Sequence, residues 1–156
     1  MKSLLFLAIF CITLSCTTLL KSSWPASLPN DLTITYKREG GYAPRFEKCI
    51  ITKEKCSYTY EFGKDKYAFD FVLPEREIQL LYNVLRRNNF EQIEEDDKKI
   101  YDHIYEIIEV EINNKKIVKT DKVGIRMASA LQWQNSLQSI TRIIAREKEK
   151  RNIITH

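Results

Sequence analysis

Histidine is almost missing from this chain: His103 and the terminal His156 are the only two among 156 residues. Neither has a second His or Cys at ligand spacing, and HExxH, CxxC and CxxH do not occur, so zinc lacks a ligand set. GxxxxGK[ST] and GxGxxG are absent too, which leaves nucleotide phosphates without a cradle. GxSxG, SxxK and a cysteine nucleophile with a recognisable partner are likewise missing. Four Gly and four Pro against 44% hydrophobic residues exclude collagen-like and low-complexity chains. Past residue 21 no apolar run approaches the roughly 20 residues of a spanning helix. A net charge of +4 is too small for a nucleic-acid partner. The expectation is therefore no catalytic set, no metal and no cofactor.

What is present begins at the first residue. Lys2 supplies a positive charge, and Leu4 to Ile12 is an unbroken apolar run. Thr13-Leu14-Ser15-Cys16 follows, with a small residue just before a cysteine. A charged start, a short apolar core and a small residue at the cut site are the pattern of a secretory signal. The cysteine after the cut resembles the bacterial lipobox, in which that cysteine carries a thioether-linked diacylglycerol and becomes the mature N-terminus. Thr13 and Leu14 depart from the usual Leu and small residue at those positions. The resemblance implies residues 1–15 as signal peptide and Cys16 as the lipidated residue. An uncleaved anchor over the 18 uncharged residues Ser3 to Leu20, or a secreted protein, are the alternatives. All three put the folded part outside the cytoplasm. The lipidated reading makes the membrane a partner through the anchor, periplasm-facing, and Thr17 is compatible with outer-membrane sorting.

Residues 16–30 are small and polar with two prolines, which suits a tether, with Trp24 either at the membrane interface or folded back. Residues 31–150 read as one α+β domain and 151–156 as a C-terminal tail. Leu32, Ile34 and Tyr36 alternate with polar residues, the period of a half-buried strand. Glu39-Gly40-Gly41-Tyr42-Ala43-Pro44 interrupts it. Strands over about Phe46–Thr52, Cys56–Phe62 and Tyr67–Leu73 follow, linked by short turns into an antiparallel meander. Pro74, Glu75 and Glu77 then open a helix whose apolar side is Ile78, Leu81, Tyr82 and Leu85, closed by Arg86-Arg87 and Asn88-Asn89. Ile104–Ile112 and Lys116–Thr120 form a hairpin about Asn113-Asn114-Lys115. A last helix from about Met127 to Lys150 carries Ala130, Gln134, Leu137, Ile140, Thr141 and Ile144 on one side, widened by Trp133 and Ile143. Six strands and two amphipathic helices predict a mainly antiparallel sheet with both helices on one face.

Of the four cysteines, Cys49 and Cys56 belong to the domain, and outside the cytoplasm such a pair is a disulfide candidate. A four-residue loop at Ile51–Glu54 would set them directly opposite each other. A three-residue loop at Lys53–Lys55 would leave them diagonal. The sequence leaves both registers open, with two buried thiols as the alternative to a bond.

The order Leu73-Pro74-Glu75, Leu80-Leu81, Asn89-Phe90 and Tyr101-Asp102, behind a lipobox-like Cys16, is similar to small lipoproteins of unknown function from Bacteroidota-type bacteria. The resemblance covers about Asp31 to Thr120. It implies a compartment and an α+β fold, not a reaction. The tether lacks the acidic residues that direct some of these lipoproteins to the cell surface.

Candidate sites follow from this frame. Gly40, Gly41, Tyr42 and Arg45 form a glycine-rich sheet end able to present a side chain to a protein or envelope component, in the manner of an inhibitor or immunity protein. That non-catalytic binding role is the expected function. The rival is a small envelope hydrolase using Asp102 and His103 with Glu106. The run Glu94–Asp97 reads as a solvated loop. The rows Tyr58, Tyr60, Phe62 and Tyr67, Phe69, Phe71 read as buried sheet face. Ser136 and Ser139 read as solvated.

Overall fold

The computed structural model describes residues 22–42, 45–98, 100 and 102–153. Cys16 and its signal, Ala43, Pro44, Tyr101 and His156 lie outside the described residues. Six strands form one antiparallel sheet: β1 (Thr33–Gly40), β2 (Arg45–Ile51), β3 (Cys56–Phe62), β4 (Asp65–Phe71), β5 (Ile104–Ile112) and β6 (Lys115–Thr120). Their spatial order is β4-β3-β2-β1-β5-β6. The meander β1 to β4 runs outward on one side of β1, and the β5–β6 hairpin completes the sheet on the other.

Both helices, α1 (Glu75–Arg87) and α2 (Ala130–Glu149), cover one face, giving the α+β architecture that the periodicity predicts. The alternation explains why. Ile34 and Tyr36, Cys49 and Ile51, Tyr58 and Tyr60, and Ile108 and Val110 share a parity in their strands and are buried. Ile78, Leu81, Tyr82 and Leu85 of α1 meet them from above. The Pro74 carbonyl accepts the Glu77 and Ile78 amides, and Glu75 and Glu77 sit at the positive end of the helix. Asn113 and Asn114 both take positive φ, so the β5–β6 turn has two residues and Lys115 joins the strand.

α2 is rotated from its predicted seam. Trp133, Ser136, Ile140, Ile144 and Glu147 face the sheet, while Met127 is exposed in a preceding 3-10 turn. The buried stripe that includes Trp133 carries Ser136 inward. Its hydroxyl is buried and donates to the Gln132 carbonyl at 2.8 Å, so Ser136 is not solvated as expected. The acidic run is also tied down: Glu95 pairs with Ile125, and its carboxylate accepts the Thr120 amide.

The folded part extends beyond both ends of the 31–150 span. From Ser22 to Asn30 the chain lies against the domain. Trp24 is buried, stacked on Tyr82 at 5.8 Å and tilted against Phe90. Glu91 accepts hydrogen bonds from Ser22 and Ser23, and Tyr82 donates to the Pro25 carbonyl. Residues 16–21 of the predicted tether lie outside the described residues. At the other end, Arg151 lies over the Phe69 ring at 4.3 Å and bonds Glu147, so the predicted tail begins inside the fold.

This N-terminal strap marks one end of the sheet. Asp31 accepts the Asn113 amide at the β5–β6 turn, and Asn30 accepts from Lys53 in the β2–β3 loop. β1 then runs away from it for eight residues, about 25 Å, to Gly40. No helix among the described residues is long and apolar enough to cross a membrane.

Candidate functional site

Along the strands, the helix-facing side chains change character in rows. Nearest the strap, Ile51, Ile34, Val110 and Ile117 form a wholly apolar row. The next is Phe69, Tyr58, Cys49, Tyr36 and Ile108. Then follows Tyr67, Tyr60, Glu47, Arg38 and Glu106, with three charges on three adjacent strands. The last row holds Phe62, Arg45, Gly40 and Ile104. The core gives out toward the Gly40 end. There the last turns of α2, with Asn152 and Ile153, roof a cavity of about 500 Å³ instead of packing against the sheet.

The charged row forms its floor. Glu47 is buried, and its Oε1 accepts from the Tyr58 hydroxyl at 2.5 Å and from Lys148 Nζ at 3.1 Å. Lys148 also lies over the Tyr58 and Tyr60 rings, at 4.9 and 5.6 Å. Glu106 Oε1 accepts from the Tyr36 hydroxyl at 3.0 Å, and its backbone amide donates to Asp121. Arg38 lies between the two carboxylates. Its Nε is shielded from solvent without a hydrogen-bond acceptor, 3.9 Å from Glu106 Oε1.

Burial raises the Glu106 carboxyl above its ordinary value. The charges of Asp121 and Glu47 add to that, while the Tyr36 hydrogen bond and Arg38 oppose it. Burial also pushes the Tyr36 and Tyr58 phenols upward, reinforced by Glu106 and Glu47 respectively. Both phenols are therefore fixed donors, not bases. The cavity presents carboxylate oxygens without a donor among the described residues, and a guanidinium, which suits recognition of a polar ligand.

The glycine-rich end lies one row further out. Gly40 and Gly41 have φ of 97° and 84°. A Cβ at Gly40 would stand 2.8 Å from the His103 carbonyl oxygen and 2.9 Å from Tyr105 Cε1, so only glycine fits there. β1 thus pairs right up to Gly40, further than the alternation suggests. Tyr42 projects with 99% of its surface exposed, and the Arg45 guanidinium lies 4.8 Å from the centre of the Phe62 ring. Gly40, Gly41, Tyr42 and Arg45 lie at the same end of the sheet as the charged floor, but none of them lines the cavity.

Asp102, His103 and Glu106 are not brought together. Asp102 is exposed at positive φ, and His103 Nε2 is 3.4 Å from the Asp121 carbonyl oxygen with its ring against Tyr105. Glu106 faces the helices. Tyr105, its neighbour, faces the open side and donates to Glu39.

Cys49 and Cys56 are free, buried thiols. Cys49 pairs with Tyr58, which puts Cys56 diagonal to it across a four-residue loop, Thr52–Lys55. This differs from both expected loops. Thr52 Oγ1 accepts the Lys55 amide and donates to its carbonyl, and that local pairing sets the register. Burial pushes both thiols upward.

Tyr36 is expected only as a strand residue, and the sequence does not single out Arg38, Glu47 or Lys148 as site residues. A signal was there: Arg38 continues the parity of Ile34 and Tyr36, and Glu47 that of Cys49 and Ile51, so both charges fall on the core side. Compared with known proteins, the chain matches no family model, and no curated protein matches its sequence.

Proposed function

We propose that this chain is a non-catalytic, lipid-anchored binding protein of a bacterial envelope, and that it binds through the sheet end formed by the charged cavity and Tyr42. One observation carries the reading. The chain enters the fold at the opposite end, where the Ser22–Asn30 strap lies beside the β5–β6 turn. An anchor at Cys16 leaves six residues before Ser22, a reach of about 20 Å at full extension. That reach keeps the strap near the bilayer, with the cavity and Tyr42 at the far end of β1. The basic residues Arg146, Lys148 and Arg151 at the end of α2 do not stand free for headgroups. They are engaged with Glu47, Glu77 and Glu147.

Two measurements test this. Mass spectrometry of the mature N-terminus should find a diacylglyceryl group on Cys16, and an unmodified terminus starting elsewhere contradicts the anchor. Affinity capture from detergent-solubilised envelopes should lose a partner with Tyr42→Ala and keep it with His103→Ala. Turnover of an envelope substrate that His103→Ala abolishes would overturn the binding reading.

A further inference from the structure

The row Glu47–Arg38–Glu106 places carboxylate, guanidinium and carboxylate in direct register on three neighbouring strands, about 4.8 Å apart. Every hydrogen bond that the two glutamate side chains accept from the described residues falls on Oε1, leaving each Oε2 without a donor. Arg38 Nε is shielded while the side chain as a whole is partly exposed, so the rest of the guanidinium is what the cavity presents. Two carboxylate oxygens without a donor among the described residues therefore flank the guanidinium along the floor of one open cavity.

The order of the charges selects the ligand. A purely anionic ligand would be drawn to Arg38 but would meet Glu47, Glu106 and Glu149. A purely cationic one would meet Arg38 and Lys148. A molecule with both charges side by side satisfies the row: its carboxylate lies on the guanidinium fork and its ammonium on a flanking glutamate. We infer that the cavity binds the zwitterionic head of a free α-amino acid. Ile144, Ala145 and Ile153 line the remaining space and can receive a side chain. The volume of about 500 Å³ lies in the range of small-molecule sites. This inference rests on the binding reading of the same sheet end and names its ligand class.

The test is a calorimetric and NMR titration of the full chain in detergent micelles with the twenty free amino acids. The tightest binder is then compared with its N-acetyl and carboxamide forms. At least one free amino acid should bind and shift the Arg38 and Glu106 side-chain signals, and each blocked form should bind at least about tenfold more weakly. Arg38→Gln should weaken binding by a similar factor, with partial recovery in Arg38→Lys. Glu106→Gln gives a second, near-isosteric check. Blocked forms that bind as tightly as the parent overturn the inference, as does the absence of any shift at about 10 mM ligand. Retained Tyr42-dependent capture alongside such a failure removes this ligand class alone. Loss of both removes the binding reading.

Discussion

Lys148, in the last turn of α2, donates to Glu47 on β2 over 3.1 Å, with both side chains largely withdrawn from water. This ion pair pins the end of the helix to the sheet and separates the packed core from the cavity. Removing Lys148 leaves buried Glu47 with only the Tyr58 hydroxyl and the neighbouring Arg38 to offset its charge, so Lys148→Met should cost about 3 kcal/mol in urea denaturation. The double change Lys148→Met with Glu47→Gln should recover most of that loss. Equal effects of the single and double variants would contradict the pairing.

The N-terminal strap makes a different prediction. Trp24 stacks on Tyr82 and packs against Phe90, so Trp24→Ala should destabilise the domain by about 3 kcal/mol. The strap should also become accessible to limited proteolysis between Ser22 and Asn30. An unchanged melt and an unchanged digest would return that segment to the status of a loose tether.

Gly40 and Gly63 separate two kinds of glycine. Both have positive φ, but a Cβ at Gly40 meets the His103 carbonyl oxygen whereas one at Gly63 meets nothing within 4 Å. Gly63→Ala should cost about 1 kcal/mol from backbone strain alone. Gly40→Ala should cost at least about 1 kcal/mol more, because backbone must move. Equal costs by denaturant titration would contradict the close approach of β1 to His103.

The raised Glu106 carboxyl has a pH signature. Its proton is held more tightly in the folded chain than in the unfolded one, by burial first and then by Asp121 and Glu47. The stability it contributes is fully present below the ordinary carboxylate value and is lost as pH rises through the raised one. Wild type should therefore lose stability relative to Glu106→Gln as pH rises above the ordinary carboxylate value. A difference that grows in favour of wild type over that rise would contradict the assignment.

Much of the fold was legible because it rests on period. Leu32, Ile34 and Tyr36, and Ile78, Leu81, Tyr82 and Leu85, announce their elements and faces without reference to anything distant. Where tertiary contacts decided, the reading fell short. The rotation of α2 depends on how the buried stripe that includes Trp133 meets the sheet, and the position of Trp24 on a stacking surface supplied by α1. Gly40, Gly41, Tyr42 and Arg45 were visible as a loop because glycine pairs are local signals. The cavity beside them was not. Its floor comes from three strands up to 70 residues apart, and its roof from the last turns of the chain. Only the core-side parity of Arg38 and Glu47 hinted at it.

The most direct test of the account is photo-crosslinking in intact envelopes, with a benzophenone side chain at Tyr42 in one variant and at Glu54 in another. Glu54 is exposed in the β2–β3 loop at the strap end of the sheet. The account predicts a discrete adduct from position 42 that position 54 does not give. The same adduct from both positions, or an adduct from position 54 alone, would contradict it.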